Sequence, residues 1–138
     1  MATQTTPDLW PADIGQDTGK LGPAALLKSQ AALLSQKTKG LVTAEVRGEQ
    51  DPRDGKFVDN FYLIGPTINY QYLLFSINYP IEFYPAELVA QIGVGNLIGN
   101  LTGAVIVEDD AQLADEIRAI FNSEKTKNVI GAIIARSK

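Results

Sequence analysis

The stretch from Phe57 to Tyr84 holds nine of the chain's ten Phe and Tyr residues. Within it, Phe57–Ile64 and Tyr70–Ile77 are dense in aromatic and β-branched side chains, the composition of paired strands. Gly65-Pro66-Thr67 between them suits a turn, so the centre of the chain is expected to be a β-hairpin. Strict alternation puts Tyr70, Tyr72, Leu74 and Ser76 on one face of the second strand and Gln71, Leu73, Phe75 and Ile77 on the other. Neither set is plainly polar, whereas an antiparallel sheet with one solvated face alternates apolar with polar residues. Both faces are therefore expected to be covered, one by helices and the other by further chain segments, a second copy or a bound ligand.

Helical periodicity appears on both sides of this stretch. Pro23 suits a first helical position, and Leu26, Leu27, Gln30, Ala31, Leu33 and Leu34 form a broad stripe behind it. Lys37 and Lys39 sit where a helix dipole is negative, and Gly40 can take the left-handed conformation that ends a helix. Val42, Ala44 and Val46 then alternate with polar residues as a first strand, followed by a polar loop from Gly48 to Lys56. Beyond Ile77, Asn78-Tyr79-Pro80 breaks the hairpin strand, Ile81–Tyr84 reads as a short edge strand, and Pro85–Ile92 reads as a short helix or, equally, a strand. Ala104–Val107 is a strand. Asp109, with Gln112 three residues on, caps a helix carrying Leu113, Ile117, Ile120 and Phe121, and Ser123 caps another carrying Thr126, Val129, Ile130, Ile133 and Ile134.

These elements predict one α+β domain over residues 22–138: an N-terminal helix, an antiparallel sheet of four to five strands, and C-terminal helices packed on the sheet. Residues 1–21 read as an N-terminal tail, extended or docked, in which Trp10 is the exception to a polar composition. Its ring either fills a groove on this domain or a neighbouring copy, or contacts a foreign partner. Ser35–Ala44 and Ser123–Ala132 share five of ten residues, yet the first runs into period-two alternation and the second into helical spacing, which argues against duplicated half-domains.

The chain contains neither histidine nor cysteine. Imidazole bases, thiol nucleophiles and the usual zinc sites are thereby closed to it. A net charge of −4 argues against nucleic acid as the partner, and no apolar run reaches the ~20 residues of a membrane helix. Without a basic, apolar leader, the expected location is the cytoplasm of a bacterium. Gly93–Gly103, with four glycines, lacks the spacing and the βαβ setting of a dinucleotide loop and reads as a lid or connector. Glu108, Asp109 and Asp110 offer oxygen ligands for Mg²⁺ or Ca²⁺, but helix capping accounts for them more simply, and no cofactor is implied. The paired Lys37, Lys39, Lys125 and Lys127 would attract an anion if their segments lie together.

The remaining candidates are aromatic. Tyr62, Tyr70, Tyr72, Tyr79 and Tyr84, with Trp10, supply contact area with a polar tip, the material of a core, an interface or an apolar pocket. The expected function is a non-catalytic acidic binding domain, a homodimer that engages a protein partner through an aromatic sheet face or the Trp10 tail. The alternative is a small-molecule carrier or enzyme with a tyrosine-lined pocket between sheet and helices, closed by Gly93–Gly103, with Asp59 or Glu82 as its acid-base group.

Overall fold

A computed structural model describes residues 7–15, 22–90 and 104–138. The element order is α1 (Gly22–Lys37), β1 (Thr43–Gln50), β2 (Phe57–Gly65), β3 (Tyr70–Tyr79), β4 (Ala86–Ala90), β5 (Ala104–Val107), α2 (Asp110–Phe121) and α3 (Glu124–Arg136). The strands form one antiparallel sheet in the order β1-β2-β3-β4-β5. This is the expected α+β arrangement, with one helix before the sheet and two after it. The stretch 93–103 read as a lid or connector lies outside the described residues.

The helix ends follow their sequence signals. Thr38 closes the turn after α1: its hydroxyl donates to the Val42 carbonyl at 2.7 Å and accepts from the Val42 N–H at 3.1 Å. Gly40, at φ +81°, donates its N–H to the Ser35 carbonyl, a left-handed helix stop that a Cβ would disfavour. Asp109 accepts from the Gln112 N–H, while the Gln112 side chain reaches back to the N–H of Glu108 rather than to that of Asp109. Ser123 accepts from Thr126 at the start of α3. Ser35–Ala44 thus leaves a helix for a strand whereas Ser123–Ala132 enters a helix, and the shared residues serve two different local structures.

The sheet departs from the sequence reading at one position, with consequences for both faces. Phe61 pairs with Phe75 and Tyr62 with Leu73, so the register skips Leu74, an extra residue that makes a bulge. Leu74 and Phe75 are consecutive and both fully buried. Beyond the bulge the faces exchange. Tyr70 and Tyr72 join Phe75, Ile77 and Tyr79 on the side of Phe61 and Leu63, while Gln71 and Leu73 join Ser76 and Asn78 on the other. The expectation of two largely apolar faces fails for this reason. The second face carries an Asn60–Ser76 hydrogen bond of 2.6 Å and the polar ends of Gln71 and Asn78.

All three helices cover the Phe61 side. Phe121 of α2 packs against Phe61 and Phe75, Ile133 of α3 lies over Gly65, and Leu27 of α1 is fully buried in the same core. Three further boundaries differ from the sequence reading. The helical option for the segment beginning at Pro85 fails over its described part: Ala86, Leu88 and Ala90 face the core from a strand whose backbone pairs with β3 and β5, and residues 91–92 lie outside the described residues. Ile81–Tyr84 is not an edge strand but the turn between β3 and β4, closed by Phe83 N–H donating to the Pro80 carbonyl. The polar loop begins later than Gly48, because Gly48, Glu49 and Gln50 pair with Asp59, Val58 and Phe57.

Gly48 is required where it stands. A Cβ there would lie 2.6 Å from Oδ1 of Asp59, which is 5% exposed and held by the Tyr79 hydroxyl at 2.6 Å. Gly131, on the outer face of α3, has nothing within 4 Å of such a Cβ. Gly48→Ala is expected to destabilise the fold by about 1–3 kcal/mol through overpacking, and Gly131→Ala to stabilise it by about 0.5–1 kcal/mol through helix propensity. Urea denaturation at neutral pH checks both.

Candidate functional site

The helix-free face of the sheet is the first candidate surface. Its positions run from Glu45, Arg47 and Glu49 on β1, through Val58, Asn60, Tyr62 and Ile64 on β2 and Gln71, Leu73, Ser76 and Asn78 on β3, to Val89 on β4 and Ile106 on β5. Arg47 is fixed on it. Its Nε and Nη2 donate to Glu45 Oε2 at 3.0 and 2.6 Å, Nη2 also donates to Gln71 Oε1 at 2.8 Å, and the guanidinium lies 4.3 Å from the centre of the Tyr62 ring. The hydrogen bond to Glu45 is the main cause that raises the Arg47 pKa above its ordinary value. A cation held over a tyrosine ring and tied by two partners is preorganised for contact. Half-buried Leu73 lies beside Tyr62 in register, and Ile106 is 58% exposed at the far edge.

A cleft of about 290 Å³ opens on the opposite side, between α1, β2 and the α2–α3 junction. Phe61 and Leu63 form its floor, Leu33, Leu34, Phe121 and Ile130 its walls, and Gln30, Lys37 and Asn122 its rim. Among the described residues no tyrosine lines it; Tyr70 lines a separate groove beside α3. The signal for it was the breadth of the α1 stripe: Leu33 stands at its margin, 43% exposed, where one helix–sheet contact does not reach. Lys37 and Thr126 line this cleft together, so the two lysine-bearing segments do approach each other, but Lys125 points to a different groove beside Arg136.

The six aromatic candidates do not converge. Tyr62 is on the helix-free face, Tyr70 and Tyr72 are on the α3 side of the hairpin, and Trp10 stands in the tail at 71% exposure. Tyr79 and Tyr84 have structural partners. The Tyr79 hydroxyl donates to Asp59 within a cluster of Phe57, Tyr79 and Phe83, and the Tyr84 hydroxyl donates to Asp110 in the first turn of α2. Burial first, and then the hydrogen bond to a carboxylate, push both phenols well above their ordinary value of 10.0. Burial also raises Tyr72.

Comparison with protein-family models, curated proteins and solved structures gave no match to this chain. Its chemistry is read from the side chains alone. Asp59 is engaged by Tyr79 inside the core, and Glu82 is exposed in the β3–β4 turn, so these two carboxylates share no site. Among the described residues no three acidic groups stand close enough to hold a metal ion, and Asp109 is committed to capping α2. What the arrangement offers is contact surface.

The raised phenols give the fold an alkaline limit. A phenol whose folded pKa lies above 10 holds its proton more tightly in the native state, so its stabilisation is complete below pH 10 and is lost as pH rises above it. The urea midpoint is expected to fall steadily from pH 9.5 to 11.5, and the Tyr79→Phe/Tyr84→Phe variant to show a shallower fall from a lower starting stability.

Proposed function

We propose that this chain is a non-catalytic binding domain that presents the helix-free face of its sheet to a protein partner. The preorganised Arg47–Tyr62 pair carries the reading. Tyr and Arg are among the residues that most often supply the energetic centre of protein interfaces, and here Tyr62 has Leu73 and Ile64 beside it while Arg47, on the edge strand β1, is held over its ring by Glu45 and Gln71. The five strands span about 20 Å, and the longer strands run about 25 Å, giving an open patch of roughly 500 Å², over half of one partner's share of an ordinary interface. An open patch of this size suits another protein better than a small molecule, which is held in a concave site.

A photo-crosslinking phenylalanine analogue in place of Leu73, in the full chain within its native cells, tests this. The expected result is one discrete product heavier than the chain alone, absent when the analogue replaces Lys28 on the outer side of α1. With the captured protein in hand, Tyr62→Ala is expected to weaken binding about thirtyfold, the loss typical of an interface centre. Identical products from positions 73 and 28, or none from 73, would sink the proposal.

The apolar cleft supports a second reading, a carrier for a small, mainly apolar molecule, because most of its lining is apolar and buried Thr126 already donates its hydroxyl to the Ile120 carbonyl. Native mass spectrometry of freshly purified protein is then expected to show a reproducible adduct that Ile130→Phe, which narrows the cleft, removes. Bare protein mass, together with no uptake of an apolar dye, counts against it.

A further inference from the structure

The tail and α3 are complementary in both charge and apolarity. Residues 7–15 carry Asp8 and Asp13 without a base, and they expose Leu9, Trp10 and Ile14 at 86%, 71% and 59%. The segment is shaped as well as exposed: the Trp10 N–H donates to Asp8 Oδ1 at 3.0 Å, and the Ile14 N–H donates to the Pro11 carbonyl at 3.1 Å. Two short turns thus present three large apolar side chains within six residues, Leu9 and Trp10 between the two carboxylates and Ile14 just after the second.

A groove of matching character runs along α3 beside the start of β3. It is shallow, about 840 Å³, with Ile68, Tyr70, Val129, Ala132 and Ile133 along it, and with Lys125 and Arg136 set eleven residues apart on α3. Among its described lining residues there is no carboxylate. α3 carries Lys125, Lys127 and Arg136 against Glu124 alone, in a chain whose net charge is −4. Tyr70, 42% exposed, offers a ring on which an indole can stack.

The geometry points to an exchange between two copies, in which the Asp8–Ile14 segment of each chain lies in the Tyr70–α3 groove of the other. Position favours a second copy over the chain's own groove. The tail enters the domain at Gly22, packed against Phe83, whose ring lies 6.3 Å from that of Tyr79 at the end of β3. Tyr70 is at the opposite end of that strand, about 30 Å away. Twelve residues separate Trp10 from Gly22 and reach at most about 40 Å when fully extended, so a chain would have to stretch to about three quarters of its full length to fill its own groove. None of residues 7–15 lines the groove of its own chain. Reciprocal exchange closes a two-fold dimer and leaves the helix-free sheet face open, so the inference stands independently of the proposal for that face.

Trp10 is the only tryptophan, so its fluorescence reports the contact directly. In the full chain, rising concentration is expected to shift Trp10 emission to shorter wavelength and to protect it from iodide, in step with a doubling of native mass. Lys125→Glu/Arg136→Glu is expected to raise the dissociation constant by on the order of tenfold or more through like-charge contact. Adding Asp8→Lys/Asp13→Lys to the same chain should restore it, which a merely misfolded variant would not show, and Tyr62→Ala should leave the dimer intact. A dimer that survives Trp10→Ala, a buried Trp10 at monomer mass, or an exposed Trp10 at every concentration would each overturn the inference.

Discussion

The extra residue at Leu74 governs what each side of this sheet can do. A strand in strict alternation would send Tyr70 and Tyr72 to the side opposite Phe75 and Ile77, dividing the aromatic residues between two half-covered faces. The bulge places Leu74 and Phe75 both in the core and reverses the parity of everything before them. The core face gains Tyr70 and Tyr72 beneath the helices, and the other gains Gln71 and Leu73 beside Asn60, Ser76 and Asn78, which lie there with or without the bulge. Arg47 depends on the same shift, since Gln71 reaches its guanidinium only from the face to which the bulge has turned it.

The opposite end of the hairpin is organised by a buried carboxylate. An unpaired charge in an apolar core is costly, and Asp59 is accommodated because three neighbours fit it: Tyr79 donates to it, Gly48 leaves it room, and Phe57 and Phe83 flank the tyrosine. Phe83 in turn packs on Gly22, which ties the start of α1 to the β3–β4 turn. The same group that makes Asp59 look like an acid-base candidate in the sequence therefore serves to join β1, β2 and β3 to the first helix. Tyr84 and Asp110 repeat the device between that turn and α2. Two tyrosine–carboxylate pairs fix the ends of elements.

Local signals in the sequence identified the elements where chemistry acts within a few residues. Gly40, Asp109 and Ser123 mark helix boundaries because caps and stops are made by neighbours in the chain. The strand at Ala86–Ala90 was ambiguous because a five-residue run satisfies both periodicities, and what decides it is hydrogen bonding to Ser76–Asn78 on one side and Val105–Val107 on the other. The bulge was invisible for a related reason. Leu-Leu-Phe offers three apolar residues in a row, and only the pairing with Phe61 and Tyr62 shows which is the extra one. The candidate surfaces were less legible still, since Arg47 lay in a strand read only for its alternation and Leu33 in a stripe read only for its helix.

The surfaces that result are segregated rather than gathered into one site, and that segregation bears on function. Catalysis needs acid, base and substrate groups to converge within a few ångströms, usually in a concave place. Here Asp109 caps a helix, Asp59 and Asp110 hold tyrosines, and Glu45, Asp51 and Asp115 pair with arginines, while the aromatic and basic side chains are dispersed over an open sheet face, a helix-side groove and an exposed tail. Separate surfaces of this kind are what the proposed binding role would use. The α3 groove lies on the opposite side of the sheet from the helix-free face, so occupying one need not obstruct the other. The bulge at Leu74 makes that division possible, because it assigns Tyr70 to the groove side and Gln71 to the side of Arg47 although they are adjacent in the chain.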